Sequence, residues 1–257
     1  MGTVNPRSRP RLSTLAVVAA MSAAVVLPGA QAATASSAAG VKHVCGKSWV
    51  PQPTRSYALF PPEHRTTTIY KAPGVTNLQK VKVLKDPAAD GTRGVVLGYD
   101  ANVTGVVGWM YVHYADRSNR AVGWVRVKDV QGITNQYAIY LNRAARQLAV
   151  VKNLTTCWGV FPVAVGAPAT PTPRGTFYVN DRIPAPNAAY GHFLLGTNAY
   201  SPDFVKFNNL DAAIGLHGTN DPGSIGKAVS HGCIRMNVAQ HDRLFRVVNV
   251  GTPIFIS

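Results

Sequence analysis

From about His43 onward, turn residues break the chain into apolar runs too short for helices, and this punctuation constrains the fold more than any other feature. Candidate strands are Thr66 to Tyr70, Lys80 to Leu84, Gly94 to Tyr99, Gly108 to Tyr114 and Val122 to Val127. Between them stand the breakers Pro73 and Gly74, Asp90 and Gly91, and Ser118 and Asn119. The pattern predicts a mainly β protein, with a small barrel or sandwich over residues 43–131. Alternation sets Trp109, Tyr111 and His113 on one face and Met110, Val112 and Tyr114 on the other, so one face is expected in the core and the other in solvent. The simpler reading of Trp109 and Trp124 is that they fill the barrel.

A second module opens near Asn135 and runs over 135–257. Tyr137 to Val151 reads as two strands around a turn at Asn142 and Arg143, and Trp158 to Val165 as a third. Gly175 to Asn180 follows the loop that holds Pro168, Pro171 and Pro173, with Phe204 to Phe207 and Ala213 to His217 as later strands. Residues 180–209 read as a loop that forms a lid or groove, with Tyr190 and Tyr200 as candidate site residues whose simpler role is packing. Near the end the period changes. Asn237 is an N-cap with Gln240 three residues on, a capping-box arrangement, and Val238, Leu244, Phe245 and Val248 follow a helical stripe that Gly251 ends. Thr252 to Ser257 reads as a final strand.

The first residues read as an address. Arg7, Arg9 and Arg11 precede an apolar run from Leu12 to Leu27, which Pro28 and Gly29 break before the small-x-small triplet Ala30, Gln31, Ala32. An export leader over 1–32 is predicted, cleaved after Ala32 and followed by an Ala-, Ser- and Thr-rich flexible lead-in over 33–42; an uncleaved membrane anchor is the rival reading. With 46% hydrophobic and 14% charged residues the chain has material for ordinary cores. Its net charge of +15 falls to +12 when Arg7, Arg9 and Arg11 leave with the leader, which suits polyanionic partners; in a bacterial envelope those would be anionic cell-wall polymers. No nucleic-acid partner is expected, since helix-turn-helix, zinc-finger and RNA-binding signatures are all missing.

Export gives the three cysteines meaning. An odd number outside the cell implies a free reactive thiol or an intermolecular bond. If Cys233 stays free, Cys45 and Cys157 are the remaining pair; a disulfide tying the two halves together and two unpaired, partly buried thiols fit equally well.

Cys233 lies in SHGCIRM (Ser230 to Met236), sixteen residues after His217 in GLHGT (Gly215 to Thr219). A lone cysteine is usually an inert small hydrophobe and a lone histidine usually structural, which is the reading for His192 and His241. Around Cys233 the surroundings reverse those odds, because a thiol is a strong nucleophile as the thiolate and a nearby imidazole is the common means of making one. Acyl transfer through a thioester is the chemistry this implies. The helix just after Cys233 is expected to add N–H groups and a dipole that favour a thiolate and an oxyanion. As zinc ligands His217, His231 and Cys233 lack a fourth partner at a recognised spacing, so neither metal nor other cofactor is expected.

Residues 135–257 resemble the catalytic domain of YkuD-type L,D-transpeptidases. The resemblance rests on the opening strand pair, the segment from Gly166 to Phe177 with PTPRGTF, HGT at His217 to Thr219, SHGCIRM, and the closing helix with GTPIFI. It implies Cys233 as nucleophile and His217 as general base. Gly232 and Cys233 would offer oxyanion N–H groups, His231 and Ser230 would shape the loop, Gly218 and Thr219 would contact substrate, and Arg235 would either orient a substrate carboxylate or brace the loop. Gly108 to Val130 in turn resembles the end of bacterial SH3-like domains, which implies a wall-binding or docking module. The activity implied is 3→3 cross-linking of peptidoglycan stem peptides with release of D-alanine, and acylation by carbapenems. Hydrolysis at the same cysteine (an L,D-carboxypeptidase) and a non-catalytic wall-binding protein are the competing functions.

Overall fold

The computed structural model describes Cys45 and residues 55–74, 78–86, 94–99, 106–201, 206–207, 210–211 and 213–257. The expected leader (1–32) and lead-in (33–42) lie outside the described residues. What is described is mainly β, and none of its helices is long and apolar enough to cross a membrane.

The first sheet contains Ser56–Phe60 (β1), Thr66–Tyr70 (β2), Lys80–Lys85 (β3), Val96–Tyr99 (β4), Trp109–His113 (β5), Val122–Arg126 (β6) and Gln131–Thr134 (β7), in the order β3-β2-β6-β5-β4-β1-β7. Every strand expected here is present. The sequence showed no sign of β1 or β7: β7 is exposed along its length, so no alternation marks it, and it is held by backbone pairing to β1. Leu59, Ile69, Val96, Met110, Val112 and Val125 fill the core of this sheet, as the alternation of β5 requires.

The opposite face of β5 departs from its expected exposure. Trp109 is buried, crossed edge-on by the Tyr70 ring at 5.5 Å and covered by the Arg126 guanidinium at 5.5 Å. Tyr111 and His113 are half-buried, and burial pushes the His113 imidazole down to about 4. Neither Trp109 nor Trp124 belongs to the core cluster of this sheet.

The second module contains Tyr137–Asn142 (β8), Gln147–Lys152 (β9), Thr156–Pro162 (β10), Val165–Gly166 (β11), Gly175–Pro184 (β12), Phe193–Tyr200 (β13), Lys206–Phe207 (β14), Leu210–Asp211 (β15), Ala213–Gly218 (β16), Ala228–Ser230 (β17), Ile234–Met236 (β18), Val238–Val247 (α1) and Pro253–Ile256 (β19). Its main sheet runs β10-β9-β8-β19-β12-β13-β16-β18. Residues 180–209 are not one loop: β12 continues to Pro184, and β13 is a central strand between β12 and β16. The sequence hid β13 because FLLGTNAY carries turn-type residues. Here the Thr197 hydroxyl donates to the Ile214 carbonyl (2.6 Å) and Asn198 Oδ1 accepts from the Tyr178 N–H (2.7 Å), so their polarity is spent across strands. Apolar side chains from this sheet and from α1, among them Ile139, Phe177, Leu195, Leu216, Ile234 and Leu244, form one core.

Asn237 caps α1 as expected, accepting from the Ala239 and Gln240 N–H groups. The return half of the capping box is missing, because Gln240 Oε1 makes no hydrogen bond among the described residues.

The two sheets are packed together. Ala58, Phe60, Val95 and Leu97 enclose Tyr178, whose hydroxyl donates to the Val95 carbonyl at 3.1 Å. Gly251 (φ +84) comes so close to Ala58 that a Cβ there would lie 2.2 Å from the alanine Cβ, so only glycine fits. Cys45 and Cys157 are joined in a disulfide with Cα atoms 4.9 Å apart, and Cys45 packs on Ala138, Tyr140, Ala149 and Val151.

Candidate active site

Two parallel neighbours, β16 and β18, build the site. Leu216 faces Ile234, His217 faces Arg235 and Gly218 faces Met236. Cys233, half-buried, immediately precedes β18, and one residue back on β16 the Gly215 N–H donates to its Sγ at 3.4 Å. Strand pairing therefore sets the histidine on the strand next to the cysteine, two residues along from the Gly215 that bonds its Sγ.

His217 is buried, and its Nδ1 lies 2.5 Å from the Gly218 carbonyl oxygen. A carbonyl only accepts, so Nδ1 carries the proton and Nε2 keeps its lone pair. Burial pushes the imidazole down to about 4, with the Arg235 charge adding to the effect and the Gly218 bond opposing it. Tyr190 covers the ring, centroid to centroid 4.6 Å. Burial also pushes the Cys233 thiol up, opposed by the Gly215 N–H and by Arg235. Burial thus favours the uncharged form of both groups.

The turn that carries Cys233 is staked at three carbonyls, those of Ser230, Gly232 and Cys233. Ser230 O accepts from the Ala167 N–H (2.8 Å) and the Thr170 hydroxyl (3.0 Å). Gly232 O accepts from the Thr172 hydroxyl (2.7 Å), which itself accepts from the Gly166 N–H (2.9 Å). Cys233 O accepts from the Ser230 hydroxyl (2.6 Å). Gly232 has φ +115, and a Cβ there would sit 2.6 Å from Ile214 Cδ1, so any side chain would disturb the turn. Roles for Thr170, Thr172 and Gly215 were not assigned from sequence. The Thr-Pro-Thr-Pro run was the available signal for the two threonines, and nothing in the sequence marks the Gly215 N–H.

The structure places several expected residues elsewhere. The Gly232 N–H is engaged by Ser230 Oγ at 3.1 Å, so it is not aimed at a substrate oxygen. Thr219 is buried, and its hydroxyl accepts from the Asp221 N–H inside a turn instead of facing substrate. Gly218 serves through its carbonyl, and His231 is exposed. The helix does not follow Cys233 directly: β18 intervenes, at about 3.3 Å per residue, and Asn237 occupies the first N–H groups of α1. His192 pairs with Asp242 at 2.7 Å, and the fully buried His241 bonds the Leu216 carbonyl at 3.1 Å. No three His, Cys, Asp or Glu side chains are grouped to hold a metal among the described residues.

Fold and site together define a β protein built around one cysteine in the turn before β18 and one buried, tautomer-fixed histidine on the neighbouring β16. The family model of the L,D-transpeptidase catalytic domain, YkuD, matches residues 136–256. The chain is 39% identical over 97 residues to a putative L,D-transpeptidase YkuD of Bacillus licheniformis, covering 38% of this chain and 52% of that protein. To the putative L,D-transpeptidase YkuD of Bacillus subtilis it is 35% identical over 124 residues, 48% of this chain and 68% of that protein. The chain thus spans about half the length of the first relative and two thirds of the second. An L,D-transpeptidase of known structure from Mycobacterium tuberculosis is 15% identical, with 63% of this chain and 90% of that one covered and a TM-score of 0.42. This chain belongs to the YkuD L,D-transpeptidase family.

Proposed function

We propose that this protein is a cysteine L,D-transpeptidase that makes 3→3 cross-links between peptidoglycan stem peptides outside the cytoplasmic membrane. The observation that carries the reading is the Gly218 carbonyl on His217 Nδ1, which leaves Nε2 as an acceptor on the strand beside Cys233. Nε2 takes the thiol proton as Sγ attacks the carbonyl of the third stem residue. The tetrahedral oxyanion collapses, the bond to the nitrogen of D-alanine breaks, and the imidazolium returns its proton to that nitrogen. The side-chain amine of a second stem then attacks the thioester, and Cys233 Sγ leaves and regains a proton. With the Gly232 N–H engaged by Ser230, the Cys233 N–H is the oxyanion donor this loop offers.

The resting site suits this order of events. A neutral thiol and neutral imidazole exchange the proton as substrate arrives, and Arg235, facing His217 across the ladder, lowers the cost of the thiolate. The first sheet, read as an SH3-like module, and the net positive charge of the chain suit retention on anionic wall polymers. Cys45–Cys157 fits an exported protein.

Intact-protein mass spectrometry after incubation with a carbapenem, beside a Cys233→Ala control, tests the nucleophile. One adduct that disappears in the control is expected; no adduct on folded, reduced-thiol protein would remove the reading. A tetrapeptide stem supplied with a labelled acceptor amine then separates cross-linking from hydrolysis, since only tripeptide products would make the protein a carboxypeptidase.

A further inference from the structure

Asn119 sits at the tip of the β5–β6 hairpin of the first sheet, in the left-handed conformation (φ +59) that asparagine tolerates. Its side chain grips the backbone of the second module at one residue: Nδ2 donates to the Tyr200 carbonyl at 2.7 Å, and Oδ1 accepts from the Tyr200 N–H at 2.8 Å. The guanidinium of Arg117, from the same hairpin, lies 5.2 Å from the centre of the Tyr200 ring. Such a paired grip fixes position and direction at once, as one strand does for its neighbour.

Tyr200 is where a register break ends. β13 pairs regularly with β16 as far as Gly196 opposite Gly215, and pairing resumes at Tyr200 opposite Ala213. Between these points Thr197 bonds the Ile214 carbonyl, and the Ala199 N–H bonds back to Thr197. Ile214 reaches under Gly232, buried Ser201 stands beside the same glycine, and Gly215 supplies the N–H on Cys233 Sγ. Asn119 therefore pins the far end of the bulge whose near end holds the thiol.

We propose that Asn119 is a positioning residue for the Cys233 site, by which the first sheet sets the register of β13 on β16 and so the placement of the Gly215 N–H against the thiol. This rests on Cys233 being the nucleophile. The first sheet then has a part in the chemistry as well as any part in wall binding, through a residue that touches neither substrate nor the reacting atoms.

The test uses Asn119→Gly, which keeps the left-handed turn and removes the grip, and Ser118→Ala, which weakens the same turn by removing the hydroxyl that accepts from the Arg120 N–H. Two quantities are read on the exported chain: the rate of carbapenem acylation at saturating drug, and the pH profile of Cys233 alkylation by iodoacetamide. Tyr190, His217 and Arg235, the titratable and charged groups around the thiol, are unchanged in both variants. Asn119→Gly is expected to slow acylation about tenfold and to move the alkylation profile to higher pH, because the thiolate loses its N–H donor. Ser118→Ala should change neither.

Asn119→Gly behaving as the unsubstituted chain in both readouts would overturn the proposal, as would equal losses in the two variants, which would mark a general loosening of the turn. If Asn119→Gly does not fold, Asn119→Asp retains the accepting half of the grip and is read by the same two measurements. A wild-type chain that alkylates but is never acylated would refute the nucleophile reading alone, with the alkylation profiles still judging the grip.

Discussion

The two sheets use buried polar groups very differently. Among the described residues the first sheet and its connections bury three polar or charged residues, Ser56, Thr67 and Asp86, whereas the second module buries ten, including Thr172, Thr197, Asn198, His217, Ser230 and His241. Each buried polar group costs free energy unless it is bonded, so a module that only had to fold would avoid most of them. Four of those in the second module, Thr172, Thr197, Ser230 and His241, bond the backbone of β16 or of the turn before β18, the segments that carry the imidazole and the thiol. The first sheet relies instead on apolar packing with aromatic edges around Trp109 and Tyr111, and reaches β13 through Asn119 and Arg117 of one hairpin.

The sharpest break of this contrast is at His217. His217→Gln keeps a polar group of similar size but removes the acceptor for the thiol proton. Acylation of Cys233 by a carbapenem at pH 7 should fall about a thousandfold, with the melting temperature little changed. A variant that acylates at the wild-type rate would show that the proton leaves by another route and that the neutral pair is not the working one.

Next come two threonines, one from each module. Thr172→Val deletes the hydroxyl between the Gly166 N–H and the Gly232 carbonyl and leaves both without a partner; the cost should be about 2 kcal/mol, with acylation slowed about tenfold. Thr67→Val deletes one bond, to the Asp129 carbonyl, and should cost about 1 kcal/mol with no change in acylation. Denaturant midpoints and acylation rates on both variants check this, and a Thr67→Val protein that acylates slowly would mean that the sheets are coupled well beyond Asn119.

Much of this was legible in the sequence where side-chain chemistry repeats with the period of the structure. The core face of β5, the Asn237 cap and the SHGCIRM turn announced themselves because each depends on residue types at fixed offsets. β13 did not, since Thr197 and Asn198 look like turn residues until their cross-strand partners are known. β7 did not, because an exposed strand held by backbone bonds needs no pattern. At the site, Cys233 and His217 could be read from their neighbours in the chain. The Gly215 N–H, the Thr170 and Thr172 hydroxyls and the Asn119 grip could not, because they act on residues between 18 and 81 positions away.

The finest division between the modules lies in their histidines. His113 in the first sheet and His217 and His241 in the second are all pushed down to about 4 by burial, although only His217 lies on β16, whose Gly215 bonds the thiol. In the unfolded chain each titrates near 6.5, so as the pH falls the unfolded state takes up protons first. The stability tied to these groups is therefore whole above pH 6.5 and lost as the pH falls towards 4. Between pH 7.5 and 5.5 each should account for about 1 kcal/mol of lost stability. His113→Gln should remove one such share from the pH dependence of the urea midpoint and leave the pH profile of acylation untouched. His241→Gln should remove an equal share, but it also replaces the partner of the Leu216 carbonyl, next to His217, and should disturb acylation slightly. If His113→Gln leaves the pH dependence of stability as it was, that imidazole takes up its proton in the folded protein, and the aromatic face of the first sheet is wetter than its packing indicates.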